Sequence, residues 1–299
     1  MRIGIDLGGT KIAGIAIGDG DKVLAVAEVP TPRGDYARSI SVISAMINEL
    51  ADTAKADDYS VGIGMPGSVS PVTGKVQNAN STWINGQDFQ GDLETALNRS
   101  VRLANDANCL AVSESYDGAG QGATSVFGVI LGTGCGGGLV INGTTVSGRH
   151  CIGGEWGHNP LPWAKSCELP GPACWCGRTG CLETWLSGPA LSHDHYARTG
   201  TQLPAEEIGA KAEAGYGDAI ATLARHLDRC GRGLAHVINI LDPDIIVLGG
   251  GLSGLYGLVD RLPAAIAPYV FADAVDIRVK AAMHGPASGV RGAARLWSQ

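Results

Sequence analysis

The chain opens on short apolar runs broken by glycines. Ile3, Ile5 and Leu7, then Ile12 to Ile17, then Val23 to Val29 are separated by glycine-rich turns, a pattern that predicts a β-meander over 2–29. The spacing then becomes helical. Ile40, Ile43, Met46, Ile47 and Leu50 predict a helix over 37–54. VGIGMPG (61–67) reads as a buried strand running into a turn, and VRLAND (101–106) as a strand feeding the helix ANCLAVSES. At 126–148 the opening pattern returns as VFGVILGTGCGGGLVINGTTVSG: strand, glycine turn, strand, polar turn. This predicts an internal duplication, with two domains that each begin on a glycine-turned hairpin. Residues 149–181 show no period and are rich in Gly, Pro, Trp and Cys, so a stretch this long needs something to hold it. The clearest helix follows, with apolar positions at Ile220, Leu223, Leu227, Leu234, Val237, Ile238 and Leu241, ended by Asp242-Pro243. DIIVLGGGLSG (244–254) predicts strand, glycine loop and helix, and GVRGAARLW a short final helix.

Composition narrows the class. At 299 residues the chain can form two domains with real cores, and 44% hydrophobic with 17% charged residues is ordinary for a globular protein. The net charge is −7 and no Lys/Arg block occurs, which argues against nucleic acid as a partner. No segment has the length of a membrane span and no leader-like segment opens the chain, so a cytoplasmic location with no membrane partner is expected. In that compartment the eight cysteines do not predict a disulfide framework. Cys109, Cys135, Cys151, Cys167 and Cys230 are scattered and read as small buried or half-buried side chains.

Three features carry chemistry. Glycine loops follow strands at Gly8-Gly9 in DLGGTK, at Gly132 to Gly138 and at Gly249 to Gly251. Glycine turns let backbone N–H groups approach an anion, and three of them in a duplicated chain suggest a nucleotide. None has the P-loop or the dinucleotide pattern. Asp106, in NDAN, stands where a strand meets a helix. It suits an N-cap and also a general base, two compatible readings. GGEWGHNPLPW (153–163) and CWCGRTGCLET (174–184) bring His158, Cys174, Cys176 and Cys181, a set suited to a closed, structural Zn²⁺ site. A redox pair is the alternative, but C-x-C is not C-x-x-C.

These residues resemble the ROK family of sugar kinases, within the actin-like ATPase superfamily. The likeness covers essentially the whole chain through DLGGTK, GMPG, NAN, NDAN, ILGTGCGGG, GGEWGH, C-x-C-G-x-x-G-C-x-E and DPDIIVLGGG. Within the family it is nearest to bacterial fructokinases of the manno(fructo)kinase type, through residues 78–86 and GEWGHNPLPW. The resemblance implies an α/β, actin-like (ribonuclease H-like) duplicated fold with an interdomain cleft. The first domain would be 1–118, with a helix at 286–299 returning to it, and the second 119–285 with the zinc loop. Gly8, Gly9 and Thr10, and opposite them Gly132, Thr133 and Gly134, would line the ATP phosphates. Gly249, Gly250 and Gly251 would lie under the adenosine, and Asp6 would help hold Mg²⁺ through water. Lys11 belongs to the same motif, either at the nucleotide or as a solvated or structural charge. Asn105, Asp106, Glu155, His158 and Glu183 would contact the sugar, with Gly67 and Asn80 near it, and His158 would also hold zinc. Asp106 would be the base. ATP, Mg²⁺ and structural Zn²⁺ are the implied cofactors, and a homodimer is expected.

The substrate expected from this likeness is fructose, with mannose beside it. N-acetylglucosamine, N-acetylmannosamine and glucose stand as alternatives, because GTTVSGRHCIGGEWGH departs from the fructokinases. The family's sugar-sensing regulators carry a DNA-binding segment before the kinase-like part. DLGGTK begins at residue 6 here, so a regulator is not expected.

Overall fold

A computed structural model describes residues 1–298 and resolves two compact units. One comprises Met1–Gly122, Gly138–Gly154 and the chain from Pro286 onward; the other comprises Ala123–Gly137 and Glu155–Gly285.

The first unit contains strands β1 (Arg2–Leu7), β2 (Lys11–Ile17) and β3 (Val23–Pro30), helix α1 (Tyr36–Ala54) and strand β4 (Ser60–Met65). A small hairpin of β5 (Ser68–Val69) and β6 (Val76–Gln77) follows, then α2 (Phe89–Leu97), β7 (Val101–Asn105) and α3 (Asp106–Asp117). The sheet order is β3-β2-β1-β4-β7, antiparallel across the meander and parallel from β1 to β7. Alternation along β2 sorts its side chains. Ile12 and Ala16 join the core formed with Ile43, Met46, Ile47 and Leu50 of α1. Ile15 and Ile17 pack on the other face. Helix α1 starts where the Asp35 carboxylate accepts the Arg38 N–H and stops at Lys55 in the left-handed region.

The second sheet is ordered β10-β9-β8-β11-β12, with β8 (Ser125–Leu131), β9 (Cys135–Ile141), β10 (Thr144–Thr145), β11 (Ile245–Gly249) and β12 (Val279–Ala281). Strand for strand this repeats the first sheet: a meander edge, then parallel neighbours on the far side of its first strand. The helices of the second half are α4 (Glu183–Leu186), α5 (Gly188–Thr199), α6 (Ala205–Glu213), α7 (Gly217–Leu241) and α8 (Leu258–Ile266). Helix α7 ends at left-handed Asp242, just before Pro243. Its terminal apolar positions, Ile220 and Leu241, are exposed, while Leu223, Leu234 and Val237 are buried. Beyond Gly249, Gly251–Gly254 forms a 3₁₀ turn, and the helix proper starts only at Leu258.

The last α-helix is α9 (Ser288–Ala294), which belongs to the first unit. It lies so close to β1 and β4 that a methyl group on Gly4 would strike the Val290 carbonyl, and one on Gly62 the Ala293 carbonyl. Val290 and Ala294 complete the face of Ile15 and Ile17. Residues 138–154 also belong to the first unit, whereas the sequence expectation placed them in the second. Gly138 explains this: its bare Cα sits against the Ala107 carbonyl at the start of α3, where any side chain would collide. Cys167 is exposed, unlike the buried or half-buried state expected of the scattered cysteines.

Candidate active site and metal centre

Two carboxylates stand at the strand ends of the first unit. Asp6 is near the end of β1, and Asp106 follows β7 directly, as the first residue of α3. Asn105 caps that helix: its side-chain oxygen accepts the Ala107 N–H at 2.9 Å. The same N–H lies 2.8 Å from Asp106 Oδ1, so the backbone sets the direction of the carboxylate. Capping therefore falls to Asn105 and leaves Asp106 as a half-buried acid just inside the helix. Loss of water around Asp106 raises its pKa to about 6, against the pull of the Ala107 N–H. Asp6 is pushed up to about 7, first by desolvation and then by the charge of Asp106, with Lys11 pulling the other way.

Asn105 also donates its amide to the Gly67 carbonyl at 3.1 Å. Gly67 has φ +72°, and a side chain there would collide with the Gln77 carbonyl, so the GMPG turn requires glycine. Asn80 is exposed, in a loop pinned by Asn85, whose side chain bonds both the N–H and the carbonyl of Ala79. In DLGGTK, the Gly8 N–H donates to the Lys11 carbonyl at 3.0 Å, closing the turn. Thr31 and Arg33 donate to the carbonyls of Gly8 and Gly9, which fixes the turn from outside. Gly9 and Thr10 are exposed. Lys11 is exposed as well and pairs with Glu28 at 2.7 Å.

The second unit joins its two glycine loops. Gly132 lies beside the Gly251 N–H, and the Gly188 N–H at the start of α5 donates to the Gly132 carbonyl at 2.7 Å. Gly250 packs on the end of β8 at Leu131. Thr133 and Gly134 form the tip of the 132–134 turn, and the Gly132 N–H closes on the Gly134 carbonyl at 3.0 Å. Glu183 stands directly behind Gly134. One of its oxygens accepts the Cys135 N–H at 3.0 Å and the other the Trp175 indole N–H at 2.7 Å. Glu183, which the sequence places at the sugar, also ties the glycine loop to the cysteine-rich loop through these two bonds.

Glu155 precedes the 3₁₀ turn Trp156–His158 and is half-buried. Trp156 anchors that turn: its indole donates to the Gly136 carbonyl at 2.9 Å, and its ring meets Phe127 edge-on at 6.0 Å. His158, Cys174, Cys176 and Cys181 converge, with their donor atoms all within 4.8 Å of one another. His158 Nδ1 is 3.6 Å from Cys174 Sγ, and Cys176 Sγ is 3.6 Å from Cys181 Sγ. A tetrahedral Zn²⁺ with sulfur bonds near 2.3 Å spaces its thiolates about 3.8 Å apart, so the donor set fits that ion. Four protein donors would fill the shell of such an ion and leave no place for a reacting water. Trp175, edge-on to the His158 ring at 5.0 Å, was not singled out in the sequence. Its place inside C-W-C was the available signal.

Comparison with known proteins follows from this geometry. The sequence profile of the ROK family matches residues 2–299. The chain belongs to the ROK family. A Yersinia enterocolitica protein named N-acetyl-D-glucosamine kinase is 38% identical over 301 residues, covering 99% of both chains. An Escherichia coli O157:H7 protein of the same name is 39% identical over 306 residues, again covering 99% of each. Among solved structures, the ROK hexokinase from Thermus thermophilus superposes with a TM-score of 0.85 at 32% identity, covering 98% of this chain and 96% of that one. The expectation of a ROK sugar kinase with the two-domain actin-like ATPase fold holds. The finer expectation of a fructokinase finds no support in these two relatives, which are named for a different sugar.

Proposed function

We propose that this ROK protein is an ATP-dependent N-acetyl-D-glucosamine kinase that transfers the γ-phosphate of ATP to a hydroxyl of the sugar. The observation that carries the reaction is the backbone-oriented, half-buried Asp106 carboxylate at the β7–α3 junction. The sugar rests on near-full-length identity of 38–39% to proteins of that name.

Asp106 accepts the proton of the attacking hydroxyl, and its pKa of about 6 keeps it ionised at neutral pH yet basic enough to take a proton. Asn105 holds the start of α3 against the Gly67 turn, so the base keeps its aim. The backbone amides of the Gly8–Thr10 and Gly132–Gly134 turns are the groups that would bind phosphoryl oxygens, with Gly249–Gly251 at the nucleoside end. Mg²⁺, when bound, supplies charge neutralisation of the ATP phosphates, and Asp6 with its raised pKa is the residue that fits it. Glu155 and His158 are assigned to the sugar hydroxyls, and Asn80 and Gly67 to its neighbourhood. His158, Cys174, Cys176 and Cys181 would hold a structural Zn²⁺.

The test is ADP release with Mg-ATP against N-acetylglucosamine, N-acetylmannosamine, glucose, mannose and fructose. The expected result is a kcat/KM for N-acetylglucosamine at least about tenfold above the others, roughly 1.4 kcal/mol of discrimination. A preference for any other sugar overturns the substrate assignment, and no turnover of any sugar overturns the kinase reading.

A further inference from the structure

The C-terminal helix carries two glycines, Gly289 and Gly292, within seven residues. Glycine inside a helix costs about 1 kcal/mol relative to alanine, so each position needs a reason. For Gly292 the reason is backbone packing: a methyl group there would strike the Cys109 carbonyl of α3. Gly4 and Gly62, on the strands beneath, face helix backbone in the same way. Gly289 differs. The three atoms nearest to a methyl group placed on it all belong to the Asp6 carboxyl group: Oδ2 at 2.8 Å, Cγ at 3.2 Å and Oδ1 at 3.6 Å. On the β4 side the nearest atoms to a methyl group on Gly64 are Cys109 Sγ at 3.1 Å and Asp6 Oδ1 at 3.6 Å. The carboxylate therefore sits in a slot between the bare Cα atoms of Gly64 and Gly289. The entry to α9 is itself tied down, because Ser288 Oγ donates to the buried Glu114 carboxylate of α3 at 2.8 Å.

We propose that Gly289 is a positioning residue for the kinase reaction: its missing side chain gives Asp6 the one orientation in which its carboxylate serves the divalent cation that accompanies the nucleotide. This rests on the assignment of Asp6 to that cation. Without the slot the carboxylate must rotate or withdraw, whereas the close backbone contacts of α9 on β1, β4 and α3 are made at Val290, Gly292, Ala293 and Ala294.

The experiment measures Mn²⁺ binding in the presence of ADP, counting free Mn²⁺ by electron paramagnetic resonance, on the full chain and on Gly289→Ala, Asp6→Asn and Gly14→Ala. Gly14 meets Met46 Sδ at 2.7 Å and Leu50 Cδ1 at 2.8 Å, so Gly14→Ala crowds the same unit to a similar degree away from Asp6. The expected result is Mn²⁺ affinity weakened at least about tenfold in Gly289→Ala and in Asp6→Asn, and unchanged in Gly14→Ala. Unchanged Mn²⁺ binding in Gly289→Ala alone overturns the role of Gly289 and leaves Asp6 standing. Unchanged binding in Asp6→Asn overturns the Asp6 assignment and this inference with it. If Gly289→Ala does not fold, thermal unfolding of Gly289→Ala in an Asp6→Ala background decides. Recovery of the folded state supports the slot, because room has been made for the methyl group, and failure to recover overturns it.

Discussion

The backbone N–H of Cys135 donates to the Glu183 carboxylate at 3.0 Å, across 48 residues of sequence. The second oxygen of that carboxylate accepts the Trp175 indole N–H, so one acid holds two loops. Glu183→Gln offers one oxygen and one amide nitrogen to two N–H partners, and one of them must face a donor. The expected outcome is a roughly tenfold rise in KM for ATP and a stability loss of about 1–3 kcal/mol, read by steady-state kinetics and thermal unfolding. An unchanged KM for ATP would mean that the loop holds its shape without this tie.

With Asp106 as the proposed base, its carboxylate should set the acid limb of the reaction. As pH falls through about 6 the carboxylate gains its proton and can no longer act as base, so kcat/KM should fall with unit slope below that value. Asp106→Asn should lower kcat by about 10²–10⁴ while calorimetry still detects sugar binding. Stability moves in the opposite sense. The folded state raises the pKa from 3.8, so it binds more protons than the unfolded chain between pH 3.8 and about 6, and the parent loses stability as pH rises through that window. Asp106→Asn escapes this loss and should unfold at a temperature about 2 °C or more above the parent at pH 7.5, and no higher at pH 3.5.

Metal analysis of protein purified without a histidine tag should find about one Zn²⁺ per chain. Cys181→Ser should lose it. Glu183 lies two residues beyond Cys181, so metal loss should reach the 132–134 turn as well. Limited proteolysis would then cut within 159–182, and ADP affinity would fall alongside. Zinc-free protein with parental ADP affinity would separate the metal from the nucleotide loop.

The segment between His158 and Cys174 is anchored on α7 by Glu168. Its carboxylate accepts from Arg229 Nε at 3.0 Å, from Arg232 Nη2 and Nη1 at 2.8 Å each, and from the Lys165 N–H at 2.9 Å. Burial alone would raise its pKa, but the bonds from Arg232, Lys165 and Arg229 prevail and hold it at about 2. Glu168→Gln removes one of two carboxylates paired with the fully buried Arg232, leaving Asp228 at 3.0 Å, and should cost about 1–3 kcal/mol in chemical denaturation. Because this pKa is lowered, its contribution is complete above about 4.5 and declines as pH falls toward 2.

Period and turn chemistry made much of this fold legible. Helices α1 and α7 announce themselves by spacing, and the end of α7 by Asp242-Pro243. The repeated hairpin at 126–148 anticipated the second sheet, because glycine turns between apolar runs are local signals. The four zinc-suited ligands were legible for the same reason: three of them lie within eight residues. Long-range partnerships were not. Nothing near Gly138 shows that it lies on Ala107, and nothing near Glu183 shows that its carboxylate accepts the Cys135 N–H. The sugar was the least legible part. The loops that would distinguish one hexose from another have no period, and a few polar contacts there decide among substrates of nearly equal size.

The contact of Gly289 with Asp6 joins the two extremes of the chain. During synthesis the strand bearing Asp6 leaves the ribosome well before the helix that supplies its wall. An incomplete chain thus exposes the apolar faces of β2 that Val290 and Ala294 later cover, and it offers quality-control proteases a marked substrate. Only a chain that includes α9 closes that seam, so a ribosome that stalls short of it releases a product whose Asp6 carboxylate lacks its Gly289 wall.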